Sequence, residues 1–100
     1  MHKITQNIGS KQQALASYLS FIEQGALLVE PTSVLNFQEI VRLQVHFPEL
    51  KQEICCDGKV VWISAKDIQG KAHFGIQPLG AEGALLHESF ENYLAGMLND

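Results

Sequence analysis

The sequence predicts a mostly β domain, a small antiparallel β-barrel or sandwich that ends in a C-terminal α-helix. Three observations carry this expectation. Residues 40–47 alternate with period two: Val41, Leu43, Val45 and Phe47 stand against Arg42, Gln44 and His46. That is the pattern of a strand with one face in a core and the other in water. Further short strand-like runs recur along the chain, punctuated by glycine and proline. From residue 83 the period changes. Leu86, Phe90, Tyr93 and Met97 fall at steps of three and four, flanked by Leu94 and Leu98, so residues 83–98 read as an amphipathic helix. Strands followed by one terminal helix suit a barrel that the helix plugs at an open end or covers along a side.

The elements follow in order. Residues 2–8 alternate weakly and form a candidate first strand. Residues 10–20 stay open between helix and loop: Leu15, Tyr18 and Leu19 have helical spacing, but the stretch is short and polar. Gly25-Ala26-Leu27-Leu28-Val29 reads as a buried strand that stops at Glu30-Pro31, because proline cannot continue the ladder. Pro48 closes the strand 40–47 in the same way. Residues 52–64 form a long strand-like run that Asp57-Gly58 breaks, as a tight turn or as a bulge. The Val60-Val61-Trp62-Ile63 run after it is strongly β-prone. Residues 65–71 form a polar loop, and residues 72–79 a further strand with Phe74 and Ile76 on one face.

Composition bounds the function. A chain of 100 residues, 46% apolar and 18% charged, fits one domain over 1–100 with its own core, and excludes wholesale disorder. No apolar run approaches the roughly 20 residues needed to cross a bilayer, so no membrane insertion is expected. The opening Met1-His2-Lys3-Ile4-Thr5-Gln6-Asn7 lacks the apolar core of a signal peptide, and a cytoplasmic location is expected. The net charge of −4, with the lysines scattered, argues against nucleic acid, which needs a basic surface to displace counterions. Of the seven basic residues only Arg42 is an arginine. The two cysteines, Cys55 and Cys56, are adjacent; in a strand they face opposite ways and cannot bridge, and both read as small buried hydrophobes.

The sequence offers few candidates for catalytic chemistry. His2, His46, His73 and His87 stand at no metal-ligand spacing. His87-Glu88-Ser89-Phe90-Glu91 opens like the H-E-x-x-H of zinc proteases, but its last position is glutamate; His87-Glu88 reads instead as a pair on a helix surface. Gly80-Ala81-Glu82-Gly83 has the spacing of a backbone-clamping G-x-x-G loop, but its acidic centre would repel phosphate and suits a helix-entry turn. With no nucleophile elbow and no P-loop, the chain is not expected to be an enzyme, to hold a metal or to carry a cofactor. Trp62, the single tryptophan, is either a core residue or a binding anchor. Alternation groups it with Val60 and Ser64, opposite Val61 and Ile63.

Several motifs, in order, carry a resemblance. Gly58-Lys59-Val60-Val61-Trp62-Ile63-Ser64, followed by Gln69-Gly70 and Gly75-Ile76-Gln77, resembles the central part of PilZ domains. Glu91-Asn92-Tyr93-Leu94-Ala95-Gly96-Met97-Leu98 resembles the terminal helix of the type IV pilus branch of that family. Tyr18-Leu19-Ser20-Phe21-Ile22-Glu23-Gln24-Gly25-Ala26 resembles the stretch before that branch's glycine-rich strand. The similarity spans about residues 15–98 and implies a PilZ-like barrel of six or a similar number of strands. Pro78 departs from it, standing where the branch closes its Gly-Ile-Gln strand with an aromatic residue.

The resemblance offers two functions. Most PilZ domains are receptors for cyclic di-GMP, with an R-x-x-x-R motif before the barrel and [D/N]-x-S-x-x-G on an early strand. Arginine forks match guanine edges and phosphates, and the glycine permits close backbone approach. Here the N-terminal stretch has no arginine, and in the aligned Ser20-Phe21-Ile22-Glu23-Gln24-Gly25 only Gly25 matches. Cyclic di-GMP binding is therefore expected to be absent or weak. Arg42 stands mid-strand and cannot replace either arginine. The pilus branch implies a non-catalytic adaptor of pilus assembly and twitching motility, with two partners: the pilus extension ATPase and a degenerate GGDEF–EAL regulatory protein. Trp62 is the first candidate contact residue, then Tyr18, Leu15 and Phe21. A cyclic di-GMP receptor with a non-standard site is the alternative.

Overall fold

The computed structural model describes residues 1–20, 22, 25–31 and 34–95. Among the described residues, five strands form one sheet, in the order β1-β3-β4-β5-β2. They are β1 (Lys3–Asn7), β2 (Leu27–Val29), β3 (Ile40–Phe47), β4 (Gln52–Ile63) and β5 (Phe74–Pro78). A short helix α1 (Lys11–Ser17) follows β1, and α2 (Gly80–Tyr93) follows β5. The sheet curls into a half-barrel around its core, and α2 covers one end. The mostly β fold with a C-terminal helix is as the sequence predicts. The pairing is not wholly antiparallel, however: β1 runs parallel to β3, with Ile4 beside Leu43 and Gln6 beside Val45.

The strand 40–47 has the predicted bounds, and its alternation points one way. Val41, Leu43, Val45 and Phe47 are fully buried, whereas Arg42 and His46 are exposed. Arg42 lies on the outer face, where its guanidinium donates to Asp57 Oδ1 at 3.0 Å across the β3–β4 pair. Asp57-Gly58 does not break the following strand, as the sequence led one to expect. β4 runs unbroken through it, and Gly58 pairs with Val41 on one side and Pro78 on the other. The reason is space. A Cβ at Gly58 would lie 2.4 Å from Ile76 Cγ2 and 3.0 Å from Leu43 Cδ1, so the packing of the inner face requires glycine there. Pro78 sits at the last position of β5, where the missing N–H costs no central ladder bond.

Within residues 10–20, Lys11–Ser17 form a capped helix of about two turns, and Tyr18 leaves it to bridge with Leu27. Ser10 Oγ accepts from Gln13 N–H at 3.1 Å, and Gln13 Oε1 accepts from Gly9 N–H at 2.7 Å. This reciprocal arrangement is a variant of the capping box. Helix α2 starts at Gly80, three residues before the predicted start, and Gly83 lies in its first turn. A Cβ at Gly83 would come within 2.6 Å of the Pro78 backbone, so glycine lets the helix fold straight back onto β5. Leu86, Phe90, Tyr93 and Leu94 then face the core, where Phe90 meets Phe47 edge-on at 5.2 Å. The predicted stripe residues Met97 and Leu98 lie outside the described residues. Cys56 is buried in the core, and burial pushes its thiol pKa up; Cys55 faces the other way and is half-buried, so only one of the pair is a core residue.

Candidate functional site

The register of β4 against β5 slips between Val60 and Trp62. Val60 pairs with Ile76, but Trp62 pairs with Gly75, leaving Val61 as the extra residue of a bulge. The slip separates Trp62 from Val60, with which alternation had grouped it. Val60 is fully buried within the barrel, whereas Trp62 stands half-buried on the outer side, across from Gly75. Ile63, opposite the buried Phe74, returns to the inner side and is partly exposed at the barrel's rim.

Gly75 forms the floor beneath Trp62. A Cβ there would lie 3.1 Å from both Trp62 Cβ and Leu19 Cδ1, and 3.6 Å from Ile22 Cδ1. Leu28, on β2, pairs with Gly75 from the other side and is half-buried too. Three apolar side chains thus meet over one glycine, Leu19 and Ile22 before β2 and Trp62 after the bulge, with Leu28 of β2 next to it in register. Beyond the inward Val60–Ile76 pair, Lys59 pairs with Gln77 and begins a polar margin that continues to the Arg42–Asp57 ion pair. An apolar cluster bordered by polar residues is in keeping with the anatomy of a protein-binding patch.

The segment carrying Leu19 and Ile22 is held from behind by Tyr18, which is only 7% exposed. Its ring stacks on Phe90 at 5.0 Å between centroids. Its hydroxyl donates to Glu91 Oε1 at 2.9 Å and lies 2.7 Å from His87 Nδ1. With its single hydrogen given to Glu91, the oxygen accepts from His87 N–H. Burial, reinforced by the Glu91 carboxylate, holds the phenol pKa far above its ordinary value. Gly25, at φ +74°, completes the mount, since a Cβ there would fall 2.4 Å from the Tyr18 hydroxyl. Leu19 N–H then donates to Ala26 carbonyl at 2.8 Å, and Gly25 N–H to Ile22 carbonyl at 2.7 Å, closing the segment on itself.

The four sequence-predicted contact residues therefore separate. Trp62 lies in the patch. Leu15 stands on α1, 41% exposed. Tyr18 is packed inside and positions the patch without forming its surface. Phe21 lies outside the described residues. His87, on α2 beside the exposed Glu88, also meets Glu91 and Tyr18. Sequence reasoning missed Leu19, Ile22 and Leu28 as a group. A glycine inside an apolar strand, at Gly75, was the available sign of close approach.

Among the described residues no group of three His, Cys, Asp or Glu side chains is placed to hold a metal ion. No described helix is long and apolar enough to cross a membrane. A scan against protein-family models finds no match, and a search of the curated proteins finds no similar sequence.

Proposed function

We propose that this chain is a non-catalytic adaptor of type IV pilus assembly and twitching motility. It acts in the cytoplasm and binds the pilus extension ATPase and a degenerate GGDEF–EAL regulatory protein. The ordered PilZ-like motifs over residues 15–98 support the identity of the system. The observation that carries the binding role is the β4 bulge, which turns the only tryptophan outward onto a patch shared with Leu19, Ile22 and Leu28. Tryptophan at the centre of an apolar patch is the residue type most enriched among binding hot spots.

A pull-down of the extension ATPase by wild type and by Trp62→Ala tests this. Truncating a hot spot costs about 2 kcal/mol or more of binding energy, roughly a thirtyfold loss of affinity. Unchanged capture by a folded Trp62→Ala protein removes Trp62 from the interface. Calorimetry with cyclic di-GMP is expected to show no saturable heat. Saturable binding in the micromolar range would make the domain a receptor.

A further inference from the structure

Helix α2 is joined to the segment that carries Leu19 and Ile22 through the Tyr18 hydroxyl, and the hydrogens at that junction can be assigned. The Tyr18 oxygen stands 2.9 Å from Glu91 Oε1 and 2.7 Å from His87 Nδ1. A carboxylate only accepts, so the Tyr18 hydrogen goes to Glu91, and His87 Nδ1 carries the hydrogen that the Tyr18 oxygen accepts. Burial and the Glu91 carboxylate keep the phenol protonated, so it stays a donor. In neutral His87 the other nitrogen, Nε2, is then bare, and it lies 3.7 Å from Glu91 Oε1. Two electron-rich atoms face each other there. A proton on Nε2 turns that repulsion into an ion pair between residues four apart on α2. It also makes the Nδ1–H a charged, and so a stronger, donor to Tyr18. Neither change requires the Tyr18 hydrogen to turn.

We propose that Tyr18, His87 and Glu91 form a proton-operated clasp: as pH falls His87 takes up a proton, tightens the hold of α2 on Tyr18, and so orders the Leu19 and Ile22 side of the patch beside Trp62. The path is short. Tyr18 bridges to Leu27 of β2, and the next residue, Leu19, donates to the Ala26 carbonyl at 2.8 Å and lies over Gly75. Gly25 N–H donates to the Ile22 carbonyl at 2.7 Å, and Gly25 has no room for a Cβ beside the Tyr18 hydroxyl. A shift of that hydroxyl is therefore felt at both ends of the segment. Protons reach the clasp from solvent, since the side chains of His87 and Glu91 are 36% and 45% exposed. The titratable groups at His87 are Tyr18, from the segment after α1, and Glu91 and the exposed Glu88, from α2 itself. On the neighbouring elements, Lys11 of α1 and Glu49 after β3 meet Tyr93 instead. Histidine side chains change charge between about pH 5 and 8. The clasp is thus strongest at the lower end of that interval and weakens as pH rises through it. The inference rests on the adaptor reading in one respect, that this patch is the docking surface.

Amide hydrogen exchange in the chain alone tests the clasp, read as protection factors at about pH 5.5 and 7.5 so that the intrinsic pH dependence of exchange is divided out. The N–H groups of Leu19 and Gly25 are expected to be roughly two- to fivefold better protected at the lower pH, the range of a partly exposed ion pair. His87→Gln should lose the difference. Glu91→Gln, which still accepts from Tyr18 but carries no charge, should shrink it. His73→Gln should keep it, since His73 pairs with Glu30 elsewhere on the sheet. The affinity for the extension ATPase, taken as the ratio of wild type to His87→Gln so that the partner's own titration cancels, should rise by the same factor at the lower pH. Equal protection at the two pH values in the wild type, or a difference that survives in folded His87→Gln, overturns the proposal, while capture of the ATPase by the same wild type keeps the adaptor reading standing. The expected exchange pattern in a chain that captures no ATPase supports the clasp and removes the adaptor reading.

Discussion

Two residues, Gly58 and Tyr18, show how a single side chain decides the local outcome. Asp57-Gly58 is a strong turn signal by composition, yet the glycine is there because Ile76 and Leu43 occupy the space a Cβ would need. Gly58→Ala should therefore destabilise the fold by about 1–3 kcal/mol through overpacking, read as a lower urea midpoint at unchanged m value. Tyr18 has the opposite history. It looks like a surface anchor in the sequence, but its hydroxyl is spent on Glu91 and His87 inside the molecule. Tyr93, which donates to Glu49, has its pKa raised as well, first by that hydrogen bond. A phenol whose folded pKa lies above its unfolded value contributes stability that is complete below the unfolded pKa. That stability is lost as pH rises through the folded one. Alkaline titration followed by phenolate absorbance should accordingly show neither tyrosine ionising at its ordinary pKa of about 10 in the folded protein. Tyr18→Phe should cost about 1 kcal/mol.

At the scale of elements, legibility followed the kind of signal available. Strand β3 and the buried stripe of α2 were readable because burial imposes a period on a single segment, of two in the one and about 3.6 in the other. Helix α1 was not readable from apolar spacing, since only Ala14 of its residues is buried. Its real signal was the Ser10–Gln13 cap, and Ser10→Ala should cost about 1 kcal/mol. The bulge at Val61 has no local signature at all. It belongs to the pairing of β4 with β5, so the outward turn of Trp62, and with it the patch, could not be seen in one segment. The β4–β5 loop is legible as polar from its composition, but its order comes from the Asp67 side chain. Backbone N–H groups, that of Lys71 first, hold the Asp67 carboxyl below its ordinary pKa. The stabilisation it gives is complete above the unfolded pKa near 4 and is lost as pH falls through the lower folded value. Asp67→Asn should flatten that part of the acid limb, measured as Tm against pH.

Across the whole molecule, the fold class was legible and the topology was not. A parallel neighbour for β3 cannot be inferred from β1, because parallel and antiparallel pairing leave the same alternation of buried Ile4 with exposed Lys3 and Thr5. The sheet remains open between β1 and β2, where Gln6 Nε2 donates to the Leu28 carbonyl at 3.2 Å across the seam. This architecture divides the surface into three regions: an end covered by α2, an end left open at the Ile68 loop, and an outer face that bears Trp62. Since Trp62 is the only tryptophan, its emission reports on the outer face alone. The most direct measurement is therefore to titrate the chain with a tryptophan-free variant of the extension ATPase and follow that emission. A saturable blue shift with loss of acrylamide quenching is predicted. A complex that forms by sedimentation while Trp62 keeps its free-state emission and quenching, or no complex at all, would contradict the account.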